Sequence, residues 1–256
     1  TNASLGTWNW TITSGTVLTT AGRIKVYDKD QPLAEDSSDS NFTVKGTLRV
    51  DAPNATGIIL KVAEIYNITW TKWGNIQLVN LTYSNNSSSG PWKTIVNNIN
   101  ASNQTFTWTP IPDDIANTLR VNITEVAGSY AEDTSDNDFK IIGKLTLNAP
   151  LASDRWVVDT TRQINWTPIG NFSSVIIEGS SNNFSTNWTI SPGVAAGTSG
   201  IMQTYNYTVE DQISDTVRVR VYDANTTRST LVTNTSSQLY IKGNLTVTAP
   251  TLNETL

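Results

Sequence analysis

An all-β chain of tandem antiparallel sandwiches follows from three features of this 256-residue sequence. The first is composition: 39 Thr, 24 Ser and 27 Asn stand beside nine Trp, a mixture that favours strands and turns over helices. The second is alternation of apolar and polar residues with a period of two, the mark of a half-buried strand. The third is an internal repeat of 97–100 residues, the size of one sandwich domain.

The repeat is carried by matched segments. VKGTLRVDAP (44–53) returns as IIGKLTLNAP (141–150) and IKGNLTVTAP (241–250), so Gly46, Gly143 and Gly243 share one place. YNITWTKWG (66–74) matches RQINWTPIG (162–170), which sets Trp70 on Trp166 and Gly74 on Gly170. LRVNITE (119–125) matches VRVRVYD (217–223) and GRIKVYD (22–28). Trp92 matches Trp188, and FTWTP (106–110) matches YNYTV (205–209) and WNWTI (8–12). The expected organisation is therefore the second half of one repeat at 1–46, complete repeats at 47–143 and 144–243, and at 244–256 the first strand of a following repeat or a donor strand. Such a phase shift fits a window of a longer repetitive protein. It also fits polymerisation by strand exchange through 244–256.

In the first complete repeat, strands are expected near 47–52, 64–70, 76–83, 92–96, 104–108, 118–125 and 138–142. Turn residues cluster between them, as in SNNSSSGP (84–91) and IPDD (111–114). No segment of crossover-helix length separates them, which argues against a parallel βαβ sheet. Alternation puts Tyr66, Ile68 and Trp70 on one face and Asn67 and Thr69 on the other. Val79, Leu81 and Tyr83 follow the same rule, and so do WNWTI and YNYTV. The tryptophans therefore read as core, with Trp73 and Trp92, near loops, as the candidates for surface stacking.

Composition excludes much chemistry. The chain has no Cys and no His, which removes disulfides, thiolate metal sites and the commonest general base. A net charge of −5 without clustered Lys and Arg argues against a nucleic-acid surface. No window approaches the roughly eighteen apolar residues of a membrane-spanning helix. The carboxylates Glu64, Glu125, Glu178 and Glu210 are scattered and form no catalytic pair. The chain reads as a non-enzyme without a cofactor.

The outward faces are written in Asn-x-Ser/Thr. Twenty asparagines stand in this acceptor context: Asn2, Asn9, Asn41, Asn54, Asn67, Asn80, Asn85, Asn86, Asn100, Asn103, Asn122, Asn165, Asn171, Asn183, Asn187, Asn206, Asn225, Asn234, Asn244 and Asn253. Composition alone would place roughly seven there, and about thirteen once strand alternation is allowed for. The excess points to heavy N-glycosylation, largely on strands, and hence to an extracellular, cell-surface or filament setting. Complete absence of cysteine in such a setting tilts the source toward an archaeal surface protein.

The segments LTLNAP and LRVDAP, NITWTKWG and QINWTPIG, FTWTPIPDD, VRVRVYD and SDNDFKI together resemble a family of immunoglobulin-like extracellular domains. That family includes the Ser/Thr-rich domain of fungal cell-wall β-glucan-assembly proteins and its bacterial and archaeal surface relatives. The resemblance implies tandem immunoglobulin-like sandwiches acting as spacers, stalks or wall-associated modules, and no activity. The second repeat departs from the pattern at YNYTVED and SSQLYI.

Asp133, Asp136 and Asp138, in EDTSDNDF, offer oxygen ligands for Ca²⁺, although the spacing fails the calcium-loop pattern and a solvated turn explains them as well. The functional expectation is a glycan-coated filament or stalk whose partners are other copies of itself or neighbouring repeats. An adhesin, a carbohydrate-binding stalk or an S-layer component is the alternative.

Overall fold

The computed structural model describes residues 3–128 and 131–249. Apart from two three-residue 3-10 turns, Ala3–Leu5 and Ala101–Asn103, every regular element among these residues is a strand. Two compact units are present. The first takes in Thr1–Ile59, Ile65–Thr109 and Ala116–Lys140, and the second Leu60–Glu64, Pro110–Ile115 and Ile141–Leu256.

Residues 19–44 form four short strands: β1 (Thr19–Gly22), β2 (Lys25–Tyr27), β3 (Glu35–Ser37) and β4 (Phe42–Val44). β1 pairs with β4 and β2 with β3. Residues 47–142 form β5 (Thr47–Ala52), β6 (Ile59–Lys61), β7 (Tyr66–Trp73), β8 (Leu78–Ser84), β9 (Lys93–Asn100), β10 (Thr105–Trp108), β11 (Ala116–Glu125), β12 (Glu132–Thr134) and β13 (Phe139–Ile142). One sheet has the order β10-β7-β5. The other runs β6-β13-β11-β8-β9, with β12 on β11.

Residues 144–242 repeat the plan as β14 (Lys144–Ala149), β15 (Arg155–Val157), β16 (Thr161–Ile169), β17 (Ser174–Ser180), β18 (Trp188–Ala195), β19 (Gln203–Thr208), β20 (Ser214–Asp223), β21 (Thr233–Thr235) and β22 (Leu239–Lys242). The orders are β14-β16-β19 and β15-β22-β20-β17-β18, with β21 on β20. This is an immunoglobulin-like β-sandwich, built of two sheets whose inward faces alternate with polar outward ones.

The alternation sets the core. On β7 Ile68 and Trp70 are buried, on β8 Val79, Leu81 and Tyr83, and on β11 Leu119, Val121 and Ile123. In the second repeat one cluster joins Trp156, Ile164 and Trp166 to Val175, Ile177, Val217, Val219 and Val221. Each such aliphatic side chain contributes about 1.5–3 kcal/mol by leaving water.

The repeats exchange bulk at one core position. Tyr83 stacks on Trp108, ring centroids 5.0 Å apart. Its counterpart in β17 is Gly179, and a Cβ there would lie 2.3 Å from the Trp188 ring. Trp188 thus folds over a space that Tyr83 fills in the first repeat; strand register sets Lys93, not Trp92 as the sequence match suggests, at the place of Trp188, and Trp92 is 38% exposed. Trp73, the other surface candidate, is also exposed.

Three expectations need correction. The WNWTI segment is not core: Trp8 is 69% and Trp10 42% exposed, and Ile12 is exposed with them. Residues 8–12 belong to no strand, so the alternation there sets no inward face. Trp10 instead meets Phe42 edge-on at 5.9 Å. Second, the sandwich is not wholly antiparallel, because β15 pairs parallel with β22. The repeat's opening stretch splits between sheets: β14 joins β16, and after Pro150 ends that ladder β15 crosses to the other sheet. Third, β6, β12, β15 and β21 are three-residue strands that periodicity does not reveal.

Candidate functional site

Two features recur along the chain and define where it can act: the joints at the repeat starts, and the asparagine acceptors.

Each joint is built on a glycine. In the second unit Gly143 alone separates β13 from β14. A Cβ on Gly143 would meet Phe172 Cε1 at 2.7 Å and the Ile169 carbonyl at 2.9 Å. Gly170, at φ +102°, lies against Gly143, Ile115 and Val62, and a Cβ would approach them at 3.0–3.3 Å. Both the close approach and the positive φ require glycine there. The Asn171 N–H donates to Asp113 Oδ1 at 2.8 Å, and the Gly170 N–H to Ser199 Oγ at 2.9 Å. Lys144 Nζ pairs with Glu64 Oε1 at 2.9 Å. The Gly-Asn-Phe loop is thus a plug, held by apolar contact with Ile115 and Val62 and by one carboxylate cap.

The first unit holds the same device. The plug is Gly74-Asn75-Ile76: Ile76 is fully buried against Gly46, and Gly74 (φ +92°) faces Gly46 and Leu18. Leu18 occupies the register of Ile115, four positions before the matched GRIKVYD and LRVNITE segments begin.

Of the twenty acceptor asparagines, Asn2 and Asn253 lie outside the described residues. None of the others is buried. Asn67, Asn80, Asn100, Asn122, Asn165, Asn206 and Asn234 lie on strands, and the rest lie in turns and connections, so the motif is not largely a strand feature. On the outer face of the first repeat two acceptor motifs interlock, with Asn80 opposite Thr124 and Thr82 opposite Asn122. Several acceptors already spend their amide N–H. Asn54 Nδ2 donates to Asp136, Asn86 Nδ2 to Gly90, Asn122 Nδ2 to Thr134 and Asn234 Nδ2 to Leu145.

The same face of the second repeat is different chemistry. Glu178 sits opposite Arg220, and Ile176 opposite Tyr222. Arg220 Nη2 pairs with Glu178 Oε2 at 2.6 Å, and its guanidinium stacks 4.1 Å from the Phe184 ring centroid. The Tyr222 hydroxyl donates to Glu178 Oε1 at 2.8 Å. Burial and this carboxylate push the Tyr222 phenol up to about 12. For Glu178, burial raises the pKa, but hydrogen bonds from Arg220, Tyr222 and Asn187 outweigh it and hold the group below its usual range. An open concavity of about 420 Å³ adjoins the patch, lined by Arg220, Tyr222, Ser229, Thr230, Thr233 and Thr235.

The acidic triplet is dispersed. Asp133 Oδ2 accepts the Val50 N–H at 2.7 Å, Asp136 Oδ2 accepts from Asn54, and Asp138 Oδ1 accepts from Arg120 and Ser87. Burial raises the Asp138 pKa, but those two hydrogen bonds and the Arg120 charge bring it below normal. These carboxylates fasten β12 and the turn after it to β5 and β11. Among the described residues no group of three or more His, Cys, Asp or Glu side chains is placed to hold a metal ion.

The scattered glutamates stay apart. Glu64 and Glu210 lie in connections, Glu125 ends β11 and Glu178 is on β17. Sequence reading missed one regularity here: Glu125, Asp223 and Asp28 share one register and each closes a turn. Their N–H groups donate to the carbonyls of Ala131, Val232 and Ala34 respectively. The matched segments ending ITE, VYD and VYD carried that signal.

No family model matches the chain, and no curated protein matches it. The solved structures similar to it include the fibronectin(III)-like modules of Clostridium thermocellum CbhA, at 12% identity, covering 77% of this chain and 94% of that one, with a TM-score of 0.24. Others are the I9–I11 tandem from titin (10% identity, 90% and 76% covered, TM-score 0.29) and the N-terminal four Ig domains of Dscam1 isoform 8.4 (7% identity, 82% and 51% covered, TM-score 0.34). The class of this chain, immunoglobulin-like sandwich repeats in tandem, rests on its own strand pairing and repeated joints.

Proposed function

We propose that this chain is part of a heavily N-glycosylated extracellular stalk or filament made of tandem immunoglobulin-like repeats. The observation that carries the reading is the accessibility of the acceptors: of the asparagines described, none is buried, and they lie around both complete repeats. A glycan coat on outward faces hinders edge-to-edge strand association and proteolysis. The joint built twice on Gly-Asn-apolar plugs supports an array in which each repeat leans on its neighbour. No helix among the described residues is long and apolar enough to cross a membrane.

Site-resolved glycopeptide mass spectrometry on material from the native source tests the reading. Glycans at most exposed acceptors are expected, and bare asparagines throughout would sink it. The archaeal source and the kinship with Ser/Thr-rich wall domains belong to the same proposal.

Strand exchange draws less support. The opening strands β5 and β14 pair with β7 and β16, and the described residues before β5 contain no counterpart of those partners. Residues 244–249 form no strand in the described chain, with Leu245 and Val247 exposed. Residues 250–256 lie outside the described residues.

A second reading, a carbohydrate-binding surface stalk, is favoured by the Glu178–Arg220–Tyr222–Phe184 patch. It is aromatic, does not recur in the first repeat, and replaces two interlocked acceptor motifs. Calorimetric titration with neutral oligosaccharides, repeated on Arg220→Ala, discriminates it. Electron microscopy of native material separates thread from S-layer lattice.

A further inference from the structure

The joint is begun a third time at Gly243, and here no described residue covers it. Register fixes the correspondence: Gly243 matches Gly143, Ile213 matches Ile115, Val158 matches Val62 and Asp211 matches Asp113. The backbone agrees. Val62 N–H donates to the Ile142 carbonyl and Val158 N–H to the Lys242 carbonyl, while Ala63 and Asp159 donate to Ile111 and Val209. Exposure differs sharply. Val62 is 5% exposed and Ile115 packs against a core, whereas Ile213 is 62% exposed. Val158, Asp211, Ile213 and Gly243 line an open hollow of about 210 Å³. A Cβ on Gly243 would meet only Ile213 Cδ1, at 3.3 Å.

We propose that this surface is a docking face for the Gly-Asn-apolar loop of a further repeat of the same kind. The occupant is chosen by the two joints already filled in this chain, where Gly74-Asn75-Ile76 and Gly170-Asn171-Phe172 sit at the matching place. Asp211 would accept the loop's Asn N–H, as Asp113 does from Asn171. Ile213 and Val158 would pack on its glycine. The Lys144–Glu64 ion pair has no counterpart, because Asn244 and Thr160 stand at those positions. Recognition here therefore relies on shape and the single Asp211 cap, and its strength depends little on salt. The inference rests on the tandem-repeat reading and names the residues through which it would operate.

The test uses unglycosylated protein, so failure of the glycan reading leaves it untouched. The whole chain through Gly243 is extended by a second copy of 144–243, and hydrogen exchange is followed in the peptide spanning 209–216. Exchange at least tenfold slower than in the parent chain is expected, with the effect undone by Gly→Val at the appended loop's glycine. Unchanged exchange, whether or not the appended copy folds, overturns the proposal.

Two substitutions in the parent chain supply an independent reading. Ile115→Asp is expected to lower the melting temperature by several degrees and Ile213→Asp by less than one. Equal losses would mean that Ile213 is already covered by the chain's own 244–249, against the proposal. Concentration-dependent protection in the parent would assign the face to a second whole chain, also against it.

Discussion

The indole Nε1 of Trp166 donates a hydrogen bond to the backbone carbonyl of Ala196 at 3.0 Å, and Trp70 makes the same contact with Ala101 at 2.9 Å. All four residues are buried. Each bond ties the middle of β16 or β7 to the segment that follows β18 or β9, and satisfies a polar group that water cannot reach. Trp166→Phe keeps an aromatic ring, loses the donor and leaves a gap. The expected cost is about 2–4 kcal/mol. Urea unfolding reads it, and a loss under about 0.5 kcal/mol would show that the bond is dispensable.

The glycines of the joints should respond unequally. A Val side chain at Gly143 must displace Phe172 or the Ile169 carbonyl, costing about 1–3 kcal/mol or more. Gly243→Val meets only open space and Ile213, and should leave thermal unfolding nearly unchanged. Calorimetry on the two variants compares them directly, and equal losses would refute the distinction.

Two carboxylates should act on stability in opposite senses. The folded-state pKa of Asp138 is lowered by Arg120 and Ser87, so its stabilisation is present above the ordinary aspartate range and is lost as pH falls through the folded value. Asp138→Asn should therefore be less stable than the parent at pH 7 and equal to it in strong acid. Glu125 is raised by burial, only partly offset by a backbone hydrogen bond from Ala131, and its Oε2 is buried without a partner. Its stabilisation is present below the ordinary glutamate range and is lost as pH rises through the folded value. Glu125→Gln should therefore gain on the order of 1 kcal/mol at pH 7. That gain should vanish in acid, and melting curves across pH would expose a reversed sign.

Acceptor occupancy should follow the amide's engagement in the fold. Asn67, Asn100, Asn206 and Asn225 are exposed. Asn54, Asn122 and Asn234 are half-buried and donate Nδ2 to protein acceptors. Glycopeptide quantitation should find the first group more fully modified, and the reverse order would mean that glycans are attached before these contacts form.

The sandwich was legible where strands are long and alternate. The order YNITW gave β7 its inward Ile68 and Trp70, and VRVRVYD gave β20 its buried valines. EDT and TNT carry no apolar alternation, so β12 and β21 appear only through their pairing with β11 and β20. Trp8 and Trp10 show a different limit. Period two tells which residues would share a face, while burial also needs a strand packed in a sandwich, and residues 8–12 belong to no strand. The acceptors were readable as tripeptides, but Asn54 and Asn234 find their amide partners 82 and 89 residues away. The plugs escaped notice for another reason. Gly-Asn-Ile and Gly-Asn-Phe look like ordinary turns until Ile115 and Leu18 are seen beside them.

Gly143 is the whole of the connection between β13 and β14, and Lys45-Gly46 is the whole of that between β4 and β5. One extended residue spans only about 3.3–3.6 Å. There is accordingly almost no spare contour length at either place. A pull across either place finds no coil to straighten there, and the first thing to give must be a strand ladder or a plug leaving its seat. In the array proposed above, each repeat would therefore hold its length up to a threshold tension and then lengthen abruptly.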